Sequence, residues 1–454
     1  MSRRKSLTSA LLLGLGLWAS PAAAQEEGAD TALTYRVGGS LRVRGLSLSN
    51  GTLARELDPT TLNSLRVSGN DDFDGTQNFL DTRLRVQFKA TLLQEVSAFM
   101  ALEVGDITFG VRDAGGALGT DGVVFENKNL YLEWHPTRYS FRLRGGLYAR
   151  ESDPHGLILS NDVAGLQGEV ELLGLNTSVY ADMIKAVESS RLDLDGDGKI
   201  DNDYNDRTIF LAGFTNASLD FLSISGFFAA DIDNTQDTPV AANTEQDVYW
   251  AGAKLSSQFG IVRVSSTVIG AYGKRTVSGT PGVTIRGLAT HNQITVSLPF
   301  VTVDGIFGWA SGRNPSSRTS DEAFPVITPF YGQSGIIYSN FGGFSATGSN
   351  LSGTAHTTLK LRATPFEGLD VETVFVWAWY TSDRDVSQAV NEFNRDARDL
   401  GFEADLNLTY TVLTGFKAFA RGSIFFPGKG YKVERDTRRS GALSQLIVGA
   451  QFDF

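Results

Sequence analysis

The chain has 454 residues, of which 51 are acidic, 40 are basic, 49 are glycine and none is cysteine. The missing cysteine argues against a lipoprotein or a disulfide-stapled domain, and the acidic balance argues against nucleic-acid binding. Beyond residue 24 no run approaches the roughly 20 apolar residues of a membrane helix. The abundant glycine and 11% aromatic residues instead suit a twisted sheet with amphipathic ends.

The first 24 residues are predicted to be a signal peptide. Arg3, Arg4 and Lys5 precede an apolar run at 11–18, and three alanines at 22–24 supply a cleavage site before Gln25. A segment of this kind directs export and is then removed. The mature chain, 25–454, is predicted to form one domain.

From Leu33 to Phe454 the chain repeats stretches of about ten residues in which polar and apolar side chains alternate, as in membrane-spanning strands. This period of two belongs to strands whose two faces meet different surroundings. Eighteen strands are predicted, and 16 to 20 are compatible with the pattern. They span 33–50, 80–91, 95–106, 124–134, 139–150, 163–172, 175–187, 207–217, 219–230, 247–257, 261–272, 284–298, 301–311, 356–363, 369–381, 400–410, 415–427 and 443–454.

The connections between these strands are long and short in alternation. Short periplasmic turns at one end and long extracellular loops at the other are typical of barrels in the outer membrane of Gram-negative bacteria. The sequence therefore predicts an all-β fold, a transmembrane antiparallel β-barrel in contact with outer-membrane lipid. A large soluble β-sandwich or β-solenoid is the alternative, but no repeat of fixed period supports it.

The two faces of the predicted strands differ in chemistry. In a bilayer the sheet must close with its apolar face outward, so the charged face lines the interior. Rings of basic residues select for anions in pores, although salt bridges across a lumen wall would use the same residues. The candidate pore-lining, anion-binding residues are Arg42, Arg44, Arg83, Arg85, Lys89, Arg142, Arg144, Lys360, Arg362, Lys417 and Arg421.

A calcium-loop-like segment at 193–206 lies in a predicted external loop. Alternating carboxylates converge on a hard cation, and the glycine that follows them permits a sharp turn. The twelfth position is Tyr204 rather than glutamate, so the match to a full calcium loop is partial. Calcium is the expected cofactor, with an acidic solvated loop as the alternative. The candidate ligands are Asp193, Asp195, Asp197, Lys199 through its carbonyl, and Asp201.

The longest predicted connection, 312–355, carries six aromatic residues among glycine, serine and asparagine. So many aromatic side chains would be costly in water. The loop is therefore expected to fold into the mouth of the barrel, where it would narrow or gate the path.

The sequence contains few residues and motifs typical of enzymes, and no catalytic activity is predicted. The chain has four histidines and lacks the GxSxG, HExxH and phosphate-loop motifs. A barrel-embedded hydrolase built on His291 and a nearby serine is one alternative, with Ser256, Ser257, Ser265 and Ser266 as candidates. A surface-structural or adhesive barrel is the other.

The segments 400–410 and 415–428 resemble the closing hairpin of the alginate-export family of outer-membrane porins. The matching positions are Gly401, Glu403, Asp405, Leu406, Phe425, Phe426 and Gly428. The resemblance implies an eighteen-stranded passive conduit with an electropositive lumen, for anionic polysaccharide or smaller anions. Looser similarity near 81–86 points to phosphate-selective porins. Phe454 resembles the signal that outer-membrane assembly machinery reads.

The sequence thus predicts an outer-membrane channel for passive diffusion or export of anionic solutes. A phosphate-selective, small-anion or general porin is the nearest variant of this function.

Overall fold

The computed structural model describes residues 33–49, 77–111, 125–187, 207–233, 244–277, 282–314, 317, 319–339, 345–382, 398–434 and 442–454. The predicted signal peptide at 1–24 and the calcium-loop-like segment at 193–206 lie outside these residues.

Eighteen long strands make up the wall of the molecule. They are β1 Leu33–Ser49, β2 Gln77–Leu92, β3 Val96–Thr108, β4 Phe125–Trp134, β5 Phe141–Glu151, β6 Ser160–Leu172, β7 Thr177–Val187, β8 Arg207–Leu219, β9 Leu222–Asp233, β10 Thr244–Phe259, β11 Val262–Val277, β12 Val283–Ser297, β13 Thr302–Ala310, β14 Thr354–Phe366, β15 Leu369–Tyr380, β16 Asp399–Leu413, β17 Phe416–Pro427 and β18 Leu443–Asp453. A further two-residue segment, Ser320–Asp321, pairs in parallel with β12 from within a connection.

The wall closes on itself. Each long strand pairs antiparallel with its neighbours in sequence, and β1 pairs with both β2 and β18. The final residue completes the closure, because the backbone of Phe454 exchanges hydrogen bonds of 3.0 and 2.8 Å with Gly39. A Cβ at Gly39 would lie 2.3 Å from the Arg85 carbonyl oxygen, so only glycine fits there. The predicted eighteen-stranded antiparallel barrel is confirmed.

Connections at the two ends of the barrel differ in length, as predicted. Residues 33 and 454 lie at one end of the barrel, which we call the short-turn end. Its turns are 93–95, 135–140, 173–176, 220–221, 260–261, 298–301, 367–368 and 414–415. The other end has connections at 50–76, 109–124, 152–159, 188–206, 234–243, 278–282, 311–353, 381–398 and 428–442.

Some predicted boundaries were wrong. The turn between β8 and β9 lies at 220–221 rather than at Ser218, and β10 and β11 extend past the predicted 247–257 and 261–272. Polar and apolar residues alternate only where the strands cross the lipid-facing apolar band of the barrel. Backbone pairing continues beyond that band, so the strands are longer than the alternation predicts.

The two faces of the wall have the predicted chemistry. Leu80 is 50% exposed on the outside, whereas the adjacent Asp81 is 1% exposed and points inward. Large apolar side chains remain exposed around the whole barrel, as a lipid-facing surface requires. Aromatic residues lie at the short-turn end of this surface, including Trp134, Tyr139, Phe300 and Phe366.

Helices are minor elements of the described chain. They are a single 3-10 turn at Leu173–Leu175 and the six-residue helix α1, Lys429–Glu434. Neither has the length and apolar character needed to span a bilayer.

Candidate functional site

The predicted basic arc lies on the inner face of β1 and β2, but its arginines are compensated by neighbouring carboxylates. The Arg44 Nε donates to both Asp81 oxygens at 2.9 and 2.8 Å. The Arg42 Nη2 lies 2.6 Å from Asp106. Farther down the wall, Arg85 contacts Glu103, and Arg83 lies 3.8 Å from the same carboxylate.

The other predicted cations show the same compensation in most cases. Arg142 pairs with Glu169, Arg144 with Glu133 at 2.5 Å, Arg362 with Asp304 at 2.5 Å and Lys417 with Asp453 at 3.3 Å. Arg421 lies over the ring of Phe419, and Lys89 is exposed near the short-turn end. Sequence reasoning missed further pairs, including Arg150 with Asp182 and Arg207 with Asp231. Most of these ion pairs lie on β1 to β9, and we call that series the ladder.

Two lumen lysines differ from the ladder. Lys254 on β10 and Lys360 on β14 have no carboxylate oxygen within 4.0 Å among the described residues. Asp304 lies directly opposite Lys360, but its Oδ2 accepts from Arg362 and its Oδ1 from two side chains of β12. Neither lysine therefore forms a direct ion pair, although Asp153 lies near Lys254, and Glu372, Asp304 and Asp405 lie near Lys360. Lys254 was missed because it is a lone cation on its strand, whereas the prediction rested on pairs.

A cavity lies at the short-turn end of the wall that carries these two lysines. Its volume is about 680 Å3, and it is bounded by β10 to β17 and the turns between them. Its polar lining includes Arg263, Arg362, Arg421, Glu372 and Asn407. A solute that passes this end of the lumen would meet three guanidinium groups.

The 311–353 connection folds inward, as predicted. Phe324, Tyr331 and Tyr338 are fully buried, although Phe330 stays exposed; the two aromatic residues at 341 and 344 lie outside the described part of the chain. The buried residues pack against inward-facing apolar side chains of the wall and against Leu157, Ile158 and Leu159 of the 152–159 connection. We call the described parts of these two connections the plug.

One flank of the plug is anchored on two carboxylates of β16. Glu403 and Asp405 face inward and are almost completely buried. Four groups at 334–337 donate to them: Ser334 Oγ to Glu403 at 2.9 Å, Gly335 N to Asp405 at 3.0 Å, and Ile336 N and Ile337 N to Glu403 at 2.5 and 2.7 Å. Backbone N–H groups that converge on a carboxylate offset the cost of burying its charge.

A second anchor joins the plug to β11, β12 and β14. The Tyr331 hydroxyl lies 2.9 Å from His291 Nδ1 and 2.7 Å from His356 Nε2. His155 stacks on His291 with ring centroids 3.8 Å apart, and its Nε2 lies 3.0 Å from Thr267 Oγ1. We call this group of three histidines and Tyr331 the histidine lock.

Strand register explains how these residues meet. Lys254, Thr267, His291, Gly308 and His356 are successive cross-strand partners from β10 to β14, so they form one row around the wall. A Cβ at Gly308 would lie 2.3 Å from His356 Nε2 and 2.7 Å from the Tyr331 hydroxyl oxygen. The missing side chain makes the space in which the tyrosine and histidine meet.

The groups that titrate within the plug are perturbed by burial. Burial raises the pKa of Asp153, against the opposing effect of hydrogen bonds from the backbone of Leu157, Ile158 and His155. Burial, with smaller effects from His291 and Lys254, lowers the pKa of His155 well below its usual value. Burial also raises the pKa of Tyr331 and Tyr338. Asp153 thus shapes its own loop, while His155 and the tyrosines are kept neutral.

The hydrolase alternative gains no support from this geometry. His291 contacts Tyr331, and Ser266 Oγ donates to Asn292 rather than to a histidine. The other two histidines of the lock meet threonines, His155 at Thr267 and His356 at Thr358. Within the described residues, no cluster of three or more His, Asp or Glu side chains could hold a metal ion.

No protein-family model and no curated protein sequence matches the chain. Solved structures do match it over nearly its whole length. OccK8 (OprE) of Pseudomonas aeruginosa is 10% identical, with 92% of this chain and 98% of that chain covered and a TM-score of 0.54. OccAB2 of Acinetobacter baumannii is 10% identical over 93% and 98%, with a TM-score of 0.54.

The outer membrane protein OpdK of Pseudomonas aeruginosa is 9% identical over 93% of this chain and 98% of its own, with a TM-score of 0.52. At such low identity the likeness establishes the barrel fold alone. The resemblance of the closing hairpin to the alginate-export family stays a prediction.

Proposed function

We propose that the protein is an outer-membrane channel through which small anionic solutes diffuse passively. The closed wall, its apolar exterior and its aromatic end fit a barrel embedded in lipid. An eighteen-stranded barrel is wide enough to enclose an aqueous path. The similar structure of OpdK, named as an outer membrane protein, supports the same location.

The observation that carries the anion preference is a pair of lumen lysines that form no direct ion pair. Most arginines of the ladder are neutralised by carboxylates, so they add little net field to the lumen. Lys254 and Lys360 have no such partner among the described residues, and the arginine-lined cavity lies below them. A positive field in a confined aqueous path lowers the barrier for anions and raises it for cations.

The plug bears on the size of the solute. Its buried apolar residues occupy part of the interior that a polymer would need. This favours a small carboxylate or phosphate over an acidic polysaccharide, which the family resemblance would imply. Guanidinium groups pair well with both small anions.

Further parts of the proposal concern export and assembly. The segment 1–24 would direct the chain across the inner membrane. Calcium would stiffen the external segment 193–206, and the assembly machinery would read Phe454, whose ring stacks on Phe452 at the barrel edge.

The experiment is a reversal-potential measurement in planar bilayers under a salt gradient. The purified chain is compared with the double variant Lys254→Gln/Lys360→Gln. Removing two charges that lie outside any ion pair, each contributing about 1 kcal/mol, should reduce the anion-to-cation permeability ratio by about fivefold per lysine. The matched control is Lys417→Gln, because Lys417 is already paired with Asp453 at 3.3 Å.

Anion-selective wild-type channels, with selectivity lost in the double variant and kept in the control, would support the proposal. Cation-selective or unselective wild-type channels would refute the anion preference. Well-inserted protein without any conductance at any pH would refute the channel itself.

A further inference from the structure

Three of the four histidines converge on one point of the lumen although they belong to three different elements. His155 lies on the 152–159 connection, His291 on β12 and His356 on β14. Tyr331, from the 311–353 connection, lies between His291 and His356 at 2.9 and 2.7 Å. The lock therefore holds both connections of the plug to the same row of the wall.

The charges around the lock favour neutral histidines. Lys254 faces His155 and His291, and Lys360 faces His291 and His356. Asp153 lies on the same loop as His155, but its oxygens accept from three backbone N–H groups and Ser152. Tyr338 packs against His356 with ring centroids 4.9 Å apart and adds no charge at ordinary pH.

Other carboxylates of the wall face Lys360. They are Asp304, Glu372 and Asp405, on β13, β15 and β16. These carboxylates lie near Lys360. Protonated histidines would add positive charge next to Lys254 and Lys360 in a buried site, and two of the imidazole rings are stacked face to face. Burying like charges in this way costs far more than leaving them in water.

We propose that the histidine lock is an acid-sensitive latch, in which proton uptake by the histidines releases the plug from the wall and opens the lumen. The inference rests on the proposed channel function for its electrical readout only. Release moves His155 and Tyr331 into water and separates the stacked rings, so the added charge is no longer buried.

The direction of the pH effect follows from linkage. The pKa of His155 is lowered while the plug is seated, so the released state binds protons more readily. The latch is at full strength above the ordinary histidine pKa of about 6.5. It weakens as the pH falls from there toward the lowered value, by up to about tenfold in the released-to-seated ratio per pH unit for each histidine that takes up a proton.

The first test records open probability and conductance in planar bilayers between about pH 7.5 and 5, a range that brackets the ordinary histidine pKa. Wild-type channels are compared with the triple variant His155→Gln/His291→Asn/His356→Gln. The amide side chains place a polar group where the histidine nitrogens now contact Thr267 and Tyr331, but they take up no proton in this pH range. The matched control is His135→Gln, because His135 is exposed in a short turn away from the lock.

We expect open probability to rise at least tenfold from the higher to the lower pH in the wild type and the control. The triple variant should show no such rise. An unchanged wild type, or a triple variant that responds like the wild type, would overturn the latch.

A second test measures release without any current. The chain has no cysteine, so single thiols can be introduced at buried Ile336 and at exposed Phe330. The ratio of labelling rates of Ile336→Cys and Phe330→Cys by a membrane-impermeant maleimide cancels the pH dependence of the thiol itself. This ratio should rise about tenfold on acidification, and a constant ratio would contradict the latch. A rising ratio without conductance would support the latch and refute the channel.

Discussion

The two walls of the lumen handle buried charge in opposite ways. From β1 to β9, arginines and carboxylates of nearby strands neutralise one another in a ladder. From β10 to β16, an ion pair joins Arg362 and Asp304. The other buried carboxylates accept from the backbone of an inserted loop, histidines stay neutral, and two lysines form no ion pair among the described residues. The charges of the first wall are paired within the wall, whereas Glu403 and Asp405 of the second wall are hydrogen-bonded by the plug.

A change in the position of the plug would therefore alter hydrogen bonding mainly in the second wall. Breaking the plug away from the second wall would leave Glu403 and Asp405 without their donors, and water would have to replace them. Breaking a rung of the ladder would leave a single buried charge uncompensated. We therefore expect loss of a plug contact in the second wall to change gating, and reversal of charge in the first wall to change selectivity or stability.

The largest effect is expected from Glu403→Ala. The change removes the acceptor of three plug hydrogen bonds and leaves their buried donors without a partner. Each charge-assisted bond is worth about 1.5–3 kcal/mol, so the plug should be released at neutral pH. Single-channel recording should show larger and more frequent openings than in the wild type.

The matched control for this substitution is Asp304→Asn. Asp304 is equally buried in the same wall, but it accepts hydrogen bonds from Gln293, Thr295 and Arg362, which all lie on strands. Its substitution should leave open probability unchanged. Equal gating in Glu403→Ala and in the wild type would show that the carboxylate does not hold the plug.

A smaller effect is expected from the double variant Arg83→Glu/Arg85→Glu in the ladder. The new carboxylates would face Glu103, which both arginines now approach. The anion preference should fall in reversal-potential measurements, because two compensating cations become anions next to a third. Thermal stability should fall as well, since like charges across a strand pair repel one another.

Restoring the charge balance provides the control for that variant. Adding Glu103→Arg should recover stability if the ladder acts through pairing. An unchanged reversal potential in the double variant would show that the basic arc does not determine selectivity.

The smallest effect is expected at the barrel end, in the short turns that neither wall depends on. Glu95 accepts from the hydroxyl and backbone N–H of Thr137, and these hydrogen bonds lower the pKa of its exposed carboxyl. Their contribution is present above the usual glutamate pKa of about 4.3 and is lost as the pH falls through the lowered value. Glu95→Ala should speed hydrogen exchange at Thr137 while channel properties stay constant.

The fold was predictable because its signal is local. Lipid on one side and polar lumen on the other impose a period of two on each strand, as between Leu80 and Asp81, so strand number and closure follow from the pattern. The inward loop was also predictable from its aromatic content. The approximate positions of the basic residues came from the same parity.

The partners of those residues were not predictable. Whether Arg44 is free or paired depends on the register of β1 and β2, and a shift of one residue moves every side chain to the other face. The need of Glu403 and Asp405 for outside donors could have been predicted. The two carboxylates share one face of a strand and have apolar or neutral cross-strand neighbours, so their hydrogen-bond donors must come from another segment.

What the sequence by itself determined is therefore the barrel: its class, its eighteen strands, and which face meets lipid. Only the tertiary structure decided which charges are neutralised and where the plug is held. The histidine lock joins Thr267 to His155 across 112 positions, and Ser334 meets Glu403 across 69. Contacts of this range depend on how the wall curves and how loops fold into it, which no local pattern encodes.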